Sequence, residues 1–307
     1  MTTPQQQRTV RLRFLAALFR VRDSLLSRRR RWKAVVIPLV ALAVVAAPLA
    51  GMQPAKAVLP GPVVVNGEGF DTSSLPPTGD MADWWSTTPY WAIGVYIGGE
   101  NYSGTSPDHA WLASVMTEGW DTWLIWVGPQ SACVTDQPDD GTFSNDPTTA
   151  QDEGETQAQD AVAAASADGF SDEYIVYDLE GYDTDDSTCL TAAQSFVNGF
   201  EYEVHTVLGE HGGLYGSTCG SDLSAYTAHS NIPEAIYPAD YGYSDYATTP
   251  LQCVPDDDWD HNQRVHQWSG DTDLRFDSGD SGPGWVIDED CLDGPAQGDY
   301  TWDTSCS

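Results

Sequence analysis

Strand-like and helix-like segments alternate along residues 67–288 of this chain. Eight segments are short, rich in apolar, β-branched or aromatic residues, and bounded by turn-forming residues. They are Gly67–Thr72, Ala92–Gly98, Thr122–Gly128, Tyr174–Glu180, Gly213–Ser217, Ala235–Ala239, Arg264–Trp268 and Gly284–Asp288. Helical character is clearest in Asp108–Met116, Gln151–Asp168 and Thr191–Glu210. This alternation predicts a parallel sheet covered by helices.

The number of strands narrows the fold class. Eight strand–helix units in about 240 residues fit a (β/α)8 TIM-like barrel. An open, doubly wound sheet is the alternative, but no G-x-G-x-x-G motif follows any of the strands. We therefore predict a single barrel domain over residues 67–307, with its functional site at the C-terminal ends of the strands.

The N-terminal segment has the features of an export signal. A basic run at Arg28–Lys33 precedes the apolar stretch Ala34–Leu49, and Ala55-Lys56-Ala57 matches an A-x-A cleavage site. We predict a cleaved signal peptide over residues 1–57, a linker over residues 58–66 and no stable membrane anchor after cleavage. The paired arginines partly match a twin-arginine signal, so the Sec and twin-arginine routes both stay open. Either route places the mature protein outside the cytoplasm, secreted or associated with the cell wall.

The charges are distributed very unevenly. The chain has 46 Asp and Glu residues against 13 Lys and Arg, and eleven of the basic residues lie within residues 1–57. Residues 58–307 retain only Arg264 and Arg275 as basic residues, against 45 acids. Such a surface repels phosphates, which excludes nucleic acid as a partner. The 12 Trp, 14 Tyr and 8 Phe residues supply a large core, so the charge does not predict disorder. We expect a monomer.

All six cysteines follow the predicted cleavage site, and an even number in an exported chain predicts disulfides. Fifteen pairings are possible. Because adjacent strand–helix loops of a barrel are neighbours, we predict sequential pairing: Cys133–Cys189, Cys219–Cys253 and Cys291–Cys306. No C-x-x-C motif points to zinc. We predict neither a metal nor an organic cofactor.

Acidic residues stand at the predicted strand ends. Asp178 and Glu180 share one face of a strand, because side chains alternate with period two. We expect them to converge with Asp71 and Asp288, where like-charge repulsion raises the pKa of at least one carboxyl and makes it a possible general acid. Aromatic residues near the strand ends are candidate walls of a sugar site: Tyr96, Trp126, Tyr215, Tyr237 and Trp268.

Four motifs carry a family resemblance. The segments Gly69–Thr72, Ala92–Gly99, Tyr177–Tyr182 and Ile287–Asp290 resemble the glycoside hydrolase-like domain of secreted actinobacterial proteins, formerly a domain of unknown function. Its barrel is similar to that of glycoside hydrolase family 25 lysozymes. The resemblance covers roughly Gly67–Leu292. It implies an acidic pocket and a polar position on strand seven, formed here by Asp71, Asp178, Glu180, Asp288 and Gln267.

These residues predict hydrolysis of a β-glycosidic bond in a glycan, plausibly of the cell wall. Glu180 is the expected general acid. Asp178 is expected to hold a substrate N-acetyl group or to steady the oxocarbenium charge. Asp71 and Asp288 would position the sugar. A non-catalytic glycan-binding or wall-associated module on the same barrel would keep the same acids, so the sequence leaves both functions open. An acidic structural protein without glycan affinity is a third hypothesis.

Overall fold

The computed structural model describes residues 57–134, 141–241, 247–274 and 285–299, together with Thr301 and Cys306. Apart from Ala57, the predicted signal peptide lies outside the described residues, as does Arg275. Within the described part of the chain, no helix combines the length and the apolar composition needed to cross a bilayer.

Eight strands close into one barrel in chain order, which confirms the predicted fold class. The strands are β1 (Pro62–Asp71), β2 (Ala92–Gly98), β3 (Asp121–Trp126), β4 (Tyr174–Asp178), β5 (His211–Ser217), β6 (Ala235–Ala239), β7 (Arg264–Leu274) and β8 (Trp285–Gln297). β1 begins five residues before the predicted strand and pairs with β8 from Pro62 onward. Most of the segment predicted to be a linker is therefore the first half of a strand.

The described residues also form helices outside the barrel. They are α1 (Thr78–Thr87), α2 (His109–Glu118), α3 (Pro147–Asp168) and α4 (Ser187–Tyr202), followed by a π-helical turn (Glu203–Leu208) and a 3-10 segment (Leu223–Ala228). An aspartate side chain accepts a backbone N–H at the start of three of them: Asp108 before α2, Asp146 before α3 and Asp186 before α4. These caps satisfy amide groups that the first helical turn leaves free. Several loop acids therefore have a structural role.

Helices α3 and α4 approach each other closely through glycines. A Cβ on Gly154 would lie 2.1 Å from the carbonyl oxygen of Phe196, and one on Gly199 would lie 2.2 Å from that of Gln151. Only glycine, whose side chain is a single hydrogen atom, fits at these two positions. The two backbones can then pack together over buried Phe196 and Phe200, which contact Tyr177 of β4. This packing holds β4 from the outside of the barrel.

Strand β8 runs antiparallel to both of its main neighbours, β7 and β1. This differs from the all-parallel sheet that the alternation predicts. A parallel crossover needs a dozen or more residues, whereas only residues 275–284 separate β7 from β8. We call the barrel mouth the end formed by the C-terminal ends of β1–β7 and the N-terminal end of β8. Asp288 reaches it from near the start of β8, not from the end of a strand, and pairs in register with Asp71.

The three predicted disulfides are confirmed. Their Cα–Cα separations are 6.1 Å for Cys133–Cys189, 5.2 Å for Cys219–Cys253 and 5.6 Å for Cys291–Cys306, within the usual range for a bridge. Cys291 lies inside β8 and does not follow it. The third bridge therefore ties the C-terminal end of the chain to the strand that closes the barrel.

Candidate functional site

Asp71 is the centre of a hydrogen-bond network at the barrel mouth. Its carboxylate is buried at the end of β1. The Tyr96 hydroxyl donates to Oδ1 at 3.0 Å, and Oδ2 accepts from the Tyr237 hydroxyl at 2.5 Å and from Gln267 Nε2 at 2.7 Å. The three donors come from β2, β6 and β7. The closed barrel thus brings residues from distant parts of the sequence to one carboxylate.

The side-chain amide of Gln267 is itself held in a fixed orientation. Its Oε1 accepts from the Tyr215 hydroxyl at 3.0 Å and from the Tyr241 hydroxyl at 2.6 Å. Because both hydroxyls donate to the oxygen, the amide nitrogen is left to donate to Asp71. Tyr241 was not among the sequence candidates, and its side chain is 56% exposed. It is the network member that presents the most surface to solvent, on which a bound molecule could lie.

Burial and nearby negative charge raise the pKa of Asp71, whereas its hydrogen bonds lower it. Desolvation, followed by the nearby negative charge of Asp288, raises its pKa, while the three donors lower it. The balance raises the pKa of Asp71 from 3.8 to about 7. Asp71 can therefore change its charge near neutral pH.

Glu180 follows β4, and a buried glutamine fixes the backbone that carries it. Gln130 Nε2 donates to the carbonyl oxygen of Asp178 at 2.8 Å, and Gln130 Oε1 accepts from the backbone N–H of Glu180 at 2.9 Å. Leu179 N–H continues the ladder by donating to the carbonyl oxygen of Tyr215 at 3.1 Å. The strand-like alternation therefore extends past Asp178, so Asp178 and Glu180 point to the same side. Sequence reasoning did not identify Gln130, whose signal is only its position after β3.

The two carboxyls of this pair have different surroundings. Asp178 is buried, and within the described part of the chain its Oδ1 has no hydrogen-bond partner, whereas Glu180 is half-buried. Burial raises the pKa of Asp178 well above its usual value, and the charges of Glu180 and Asp71 raise it further. Glu180 is thus the member of the pair closer to solvent and accessible to a ligand.

Asp290 is a further acid of the site that the sequence candidates did not include. The Tyr237 hydroxyl lies 2.6 Å from its Oδ1, and the side chain is fully buried. Desolvation, then the charge of Asp71, raises the pKa of Asp290 well above its usual value. Alternation along β8 places Asp290 on the same face as Asp288, a signal the sequence already contained. It was missed because the strand was expected to end at Asp288.

The predicted aromatic residues differ in whether they join the hydrogen-bond network of Asp71. Tyr96, Tyr215 and Tyr237 join the network through their hydroxyls. Trp126 lies instead between β3 and α3, where its indole N–H donates to Gln157 Oε1 at 2.8 Å. Trp268 falls where the pairing of β7 with β8 shifts between Gln267 and Ser269, and it is half-buried.

Among the described residues, one group of His, Cys, Asp or Glu side chains is compact enough to surround a metal ion: Cys133, Asp186 and Cys189. Its two sulfurs are joined in a disulfide. A disulfide sulfur is not a thiolate and is a poor metal ligand, so this group does not fit a metal.

The chain belongs to the Rv2525c-like, glycoside hydrolase-like domain family, whose model matches residues 82–283. This confirms the resemblance carried by the four motifs. No curated protein sequence matches the chain.

Solved structures with a similar fold include lytic enzymes. The Clostridium perfringens spore cortex lytic enzyme SleM has a TM-score of 0.48 and 14% identity, covering 74% of this chain and 67% of that one. A family 25 glycosyl hydrolase from Bacillus anthracis has a TM-score of 0.45 and 13% identity, covering 74% and 89%. An uncharacterized B. stearothermophilus protein has a TM-score of 0.47 and 12% identity, covering 73% and 95%.

Proposed function

We propose that this protein is a secreted glycoside hydrolase that cleaves a β-glycosidic bond of a glycan at the barrel mouth, with Glu180 as the general acid. The observation that carries the proposal is the pair formed by buried Asp178 and half-buried Glu180, on one side of a rigid strand end. Glycoside hydrolysis usually requires two carboxyl groups whose different surroundings give them different pKa values. Membership of a glycoside hydrolase-like family supports the same reaction class.

Each acid has a distinct role in the proposed reaction. Glu180 protonates the leaving oxygen, because it is the acid of the pair that a bound glycan can contact. Asp178 lies deeper and holds a substrate N-acetyl group or steadies the positive charge that develops on the sugar ring. Asp71 and Asp288 pair across β1 and β8 and position the sugar. Tyr241 offers an exposed ring beside them for stacking.

The charges of the site favour a neutral glycan. Arg264 is buried, and its guanidinium donates to the carbonyl oxygens of Thr248 at 3.0 Å, Pro255 at 2.6 Å and Asp258. Residues 58–307 contain no lysine. Among the described residues of this region, no Lys or Arg side chain is therefore available to neutralise an anionic substrate. Anionic wall polymers would be repelled at low salt.

Secretion is part of the proposal. Three disulfides are expected of a protein that folds in an oxidising compartment. The A-x-A signal at Ala55–Ala57 would release the domain after export. Mass spectrometry of the secreted protein should find Val58 at the N-terminus.

Turnover of neutral chitin oligomers, a neutral polysaccharide and purified wall glycan tests the reaction. Glu180→Gln keeps the size and hydrogen bonds of the side chain but removes the transferable proton, so kcat should fall by about 10²–10⁴. Asp178→Asn should also slow turnover. The matched control is Asp183→Asn, on the exposed loop beyond the strand, which should turn over like the parent.

Two outcomes would contradict the proposal. If Glu180→Gln hydrolyses glycan as fast as the parent, Glu180 is not the general acid. If parent and variant both bind glycan and neither releases product, the domain is a non-catalytic glycan-binding module.

A further inference from the structure

The hydroxyl of Tyr237 lies between two buried carboxyl groups. It is 2.5 Å from Asp71 Oδ2 and 2.6 Å from Asp290 Oδ1. Both distances are typical of strong hydrogen bonds between oxygens. A tyrosine hydroxyl carries one hydrogen, so it can donate to only one of the two carboxyls. The second contact needs a hydrogen from elsewhere. At such a distance, two oxygens without a hydrogen between them would repel each other.

The missing hydrogen must belong to one of the carboxyls, and their surroundings differ. Asp71 accepts two more hydrogen bonds, from Tyr96 and Gln267. Donors of this kind stabilise an ionised carboxylate. Asp290 has no such support, because its Oδ2 is buried without a hydrogen-bond partner among the described residues. An ionised Asp290 would leave a negative oxygen buried without a protein donor, which is costly. A neutral acid avoids that cost.

We infer that Asp290 is a neutral carboxylic acid in the folded protein at neutral pH. It donates its hydrogen to the oxygen of Tyr237, whose own hydrogen is donated to Asp71. The order of donors is therefore Asp290, Tyr237, Asp71. Each of the two hydrogens in this row of hydrogen bonds then has one donor and one acceptor. Asp290 is a positioning residue, since it acts on the site through Tyr237.

The groups around Asp290 favour this arrangement. Asp71, Asp288 and Glu289 are acids on β1 and β8 that raise its pKa after burial itself. The other titratable groups of the network are the tyrosines of β2, β5 and β6 and Tyr241, whose pKa values are also raised by burial. Gln267 on β7 is neutral. No cation among these neighbours would favour an ionised Asp290.

The arrangement bears on catalysis, and this part of the inference rests on the proposed function. Tyr237 can give its only hydrogen to Asp71 because Asp290 supplies one in return. Above its pKa of about 7, Asp71 is then held as a carboxylate by three donors at the barrel mouth. Without the hydrogen from Asp290, Tyr237 would be shared between two negative charges.

The protonation state can be tested without any glycan. In the unfolded chain an aspartate loses its proton near pH 3.9, so above about pH 4 unfolding should release the proton of Asp290. Asp290→Asn cannot release it. The ratio of the folding constants of Asp290→Asn and parent should therefore rise about tenfold per pH unit from pH 4 towards pH 7. Denaturant unfolding with intact disulfides measures this ratio. A constant or falling ratio would overturn the inference.

A control and two further measurements complete the test. The folding constant of Asp299→Asn, a variant at an exposed carboxylate just after β8, should keep a constant ratio to that of the parent.

In parent protein the 13C signal of the Asp290 carboxyl, assigned by its loss in Asp290→Asn, should show no titration step between pH 4 and 7. A step near pH 4 would overturn the inference even if the variant failed to fold. In Tyr237→Phe, which lacks one donor to Asp71, the Asp71 carboxyl should titrate at higher pH than in parent; an unchanged midpoint would exclude the relay. Because none of these readouts needs turnover, their failure is distinguishable from a failure of the proposed hydrolysis.

Discussion

Gly94 is a position where the barrel interior leaves no room for a side chain. It lies on β2, and a Cβ at this position would be 2.6 Å from the Cβ of Asp71 and 2.6 Å from two indole atoms of Trp123. Both neighbours are buried inside the barrel. An ordinary carbon–carbon contact is about 3.5–4.0 Å, so Gly94→Ala must displace Asp71, Trp123 or the strand by about 1 Å.

The expected cost follows from that crowding. Overpacking a core typically costs about 1–3 kcal/mol, and we expect the upper end because neither neighbour can move into solvent. For a domain of this size, each kcal/mol lowers Tm by about 2–4 °C. Gly94→Ala should therefore melt about 6–12 °C below parent in a thermal scan followed by circular dichroism. A displaced Asp71 should also slow glycan turnover if the proposed function is right.

Gly79 provides a matched control. It lies in α1, where a Cβ would meet no atom within 4 Å. Because alanine favours a helix over glycine by up to about 1 kcal/mol, Gly79→Ala should melt at the parent temperature or a few degrees above it. If Gly94→Ala melts within about 2 °C of parent and keeps its activity, the crowding inferred around Asp71 is refuted.

Three further perturbations follow from the structure. Raising sodium chloride from 0.1 M to 1 M shortens the Debye length from about 10 Å to about 3 Å and should raise Tm, because 45 acids oppose two basic residues in residues 58–307; a flat melting series would contradict this. Gly154→Ala should destabilise the domain by at least about 2–3 kcal/mol in denaturant unfolding, because its methyl group would meet the Phe196 carbonyl and only separation of α3 and α4 relieves the contact; an unchanged midpoint would show that the helices can part freely. Burial, with the neighbouring Glu210, raises the pKa of Glu173 from 4.5 to about 8, so the native state retains a proton and loses stability as pH rises through that window. Glu173→Gln should therefore match parent at pH 4 and exceed it in stability at pH 8, and equal stability at both pH values would exclude the shift.

The sequence was sufficient for the barrel because strand and helix periodicities are local properties. It was insufficient for the direction of β8, because that direction depends on the length of the connection from β7. The alternation predicts a parallel crossover, but only ten residues separate the two strands. The same assumption ended the strand at Asp288 and hid Asp290. Helix α1 was also missed: it has no side-chain cap, and its two tryptophans are typical of strands as much as of helices.

For the site, the sequence indicates Asp71, Asp178, Glu180 and Asp288 as candidate acids, but neither Asp290 nor the way in which the acids are connected. Asp71, Tyr237 and Gln267 are far apart in the chain, and only barrel closure brings them to one point. Which oxygen receives which hydrogen depends on distances of 2.5 to 3.0 Å, and alternation does not determine these. Trp126 shows the opposite case. Its place at a strand end suggested a sugar platform, but the face of β3 on which it lies directs it to α3.

The burial of Arg264 has a practical consequence. Trypsin-like proteases cleave after lysine or arginine, and residues 58–307 contain only two such positions. The guanidinium of Arg264 is held by three carbonyl oxygens inside the fold, so a protease cannot take it into its specificity pocket while the domain stays folded. Within the part of residues 58–307 that the structure describes, a folded domain therefore offers such a protease no accessible lysine or arginine. Residues 58–307 also contain no lysine, so a domain released by the proposed cleavage after Ala57 would carry its α-amino group as the single site for amine-directed labelling.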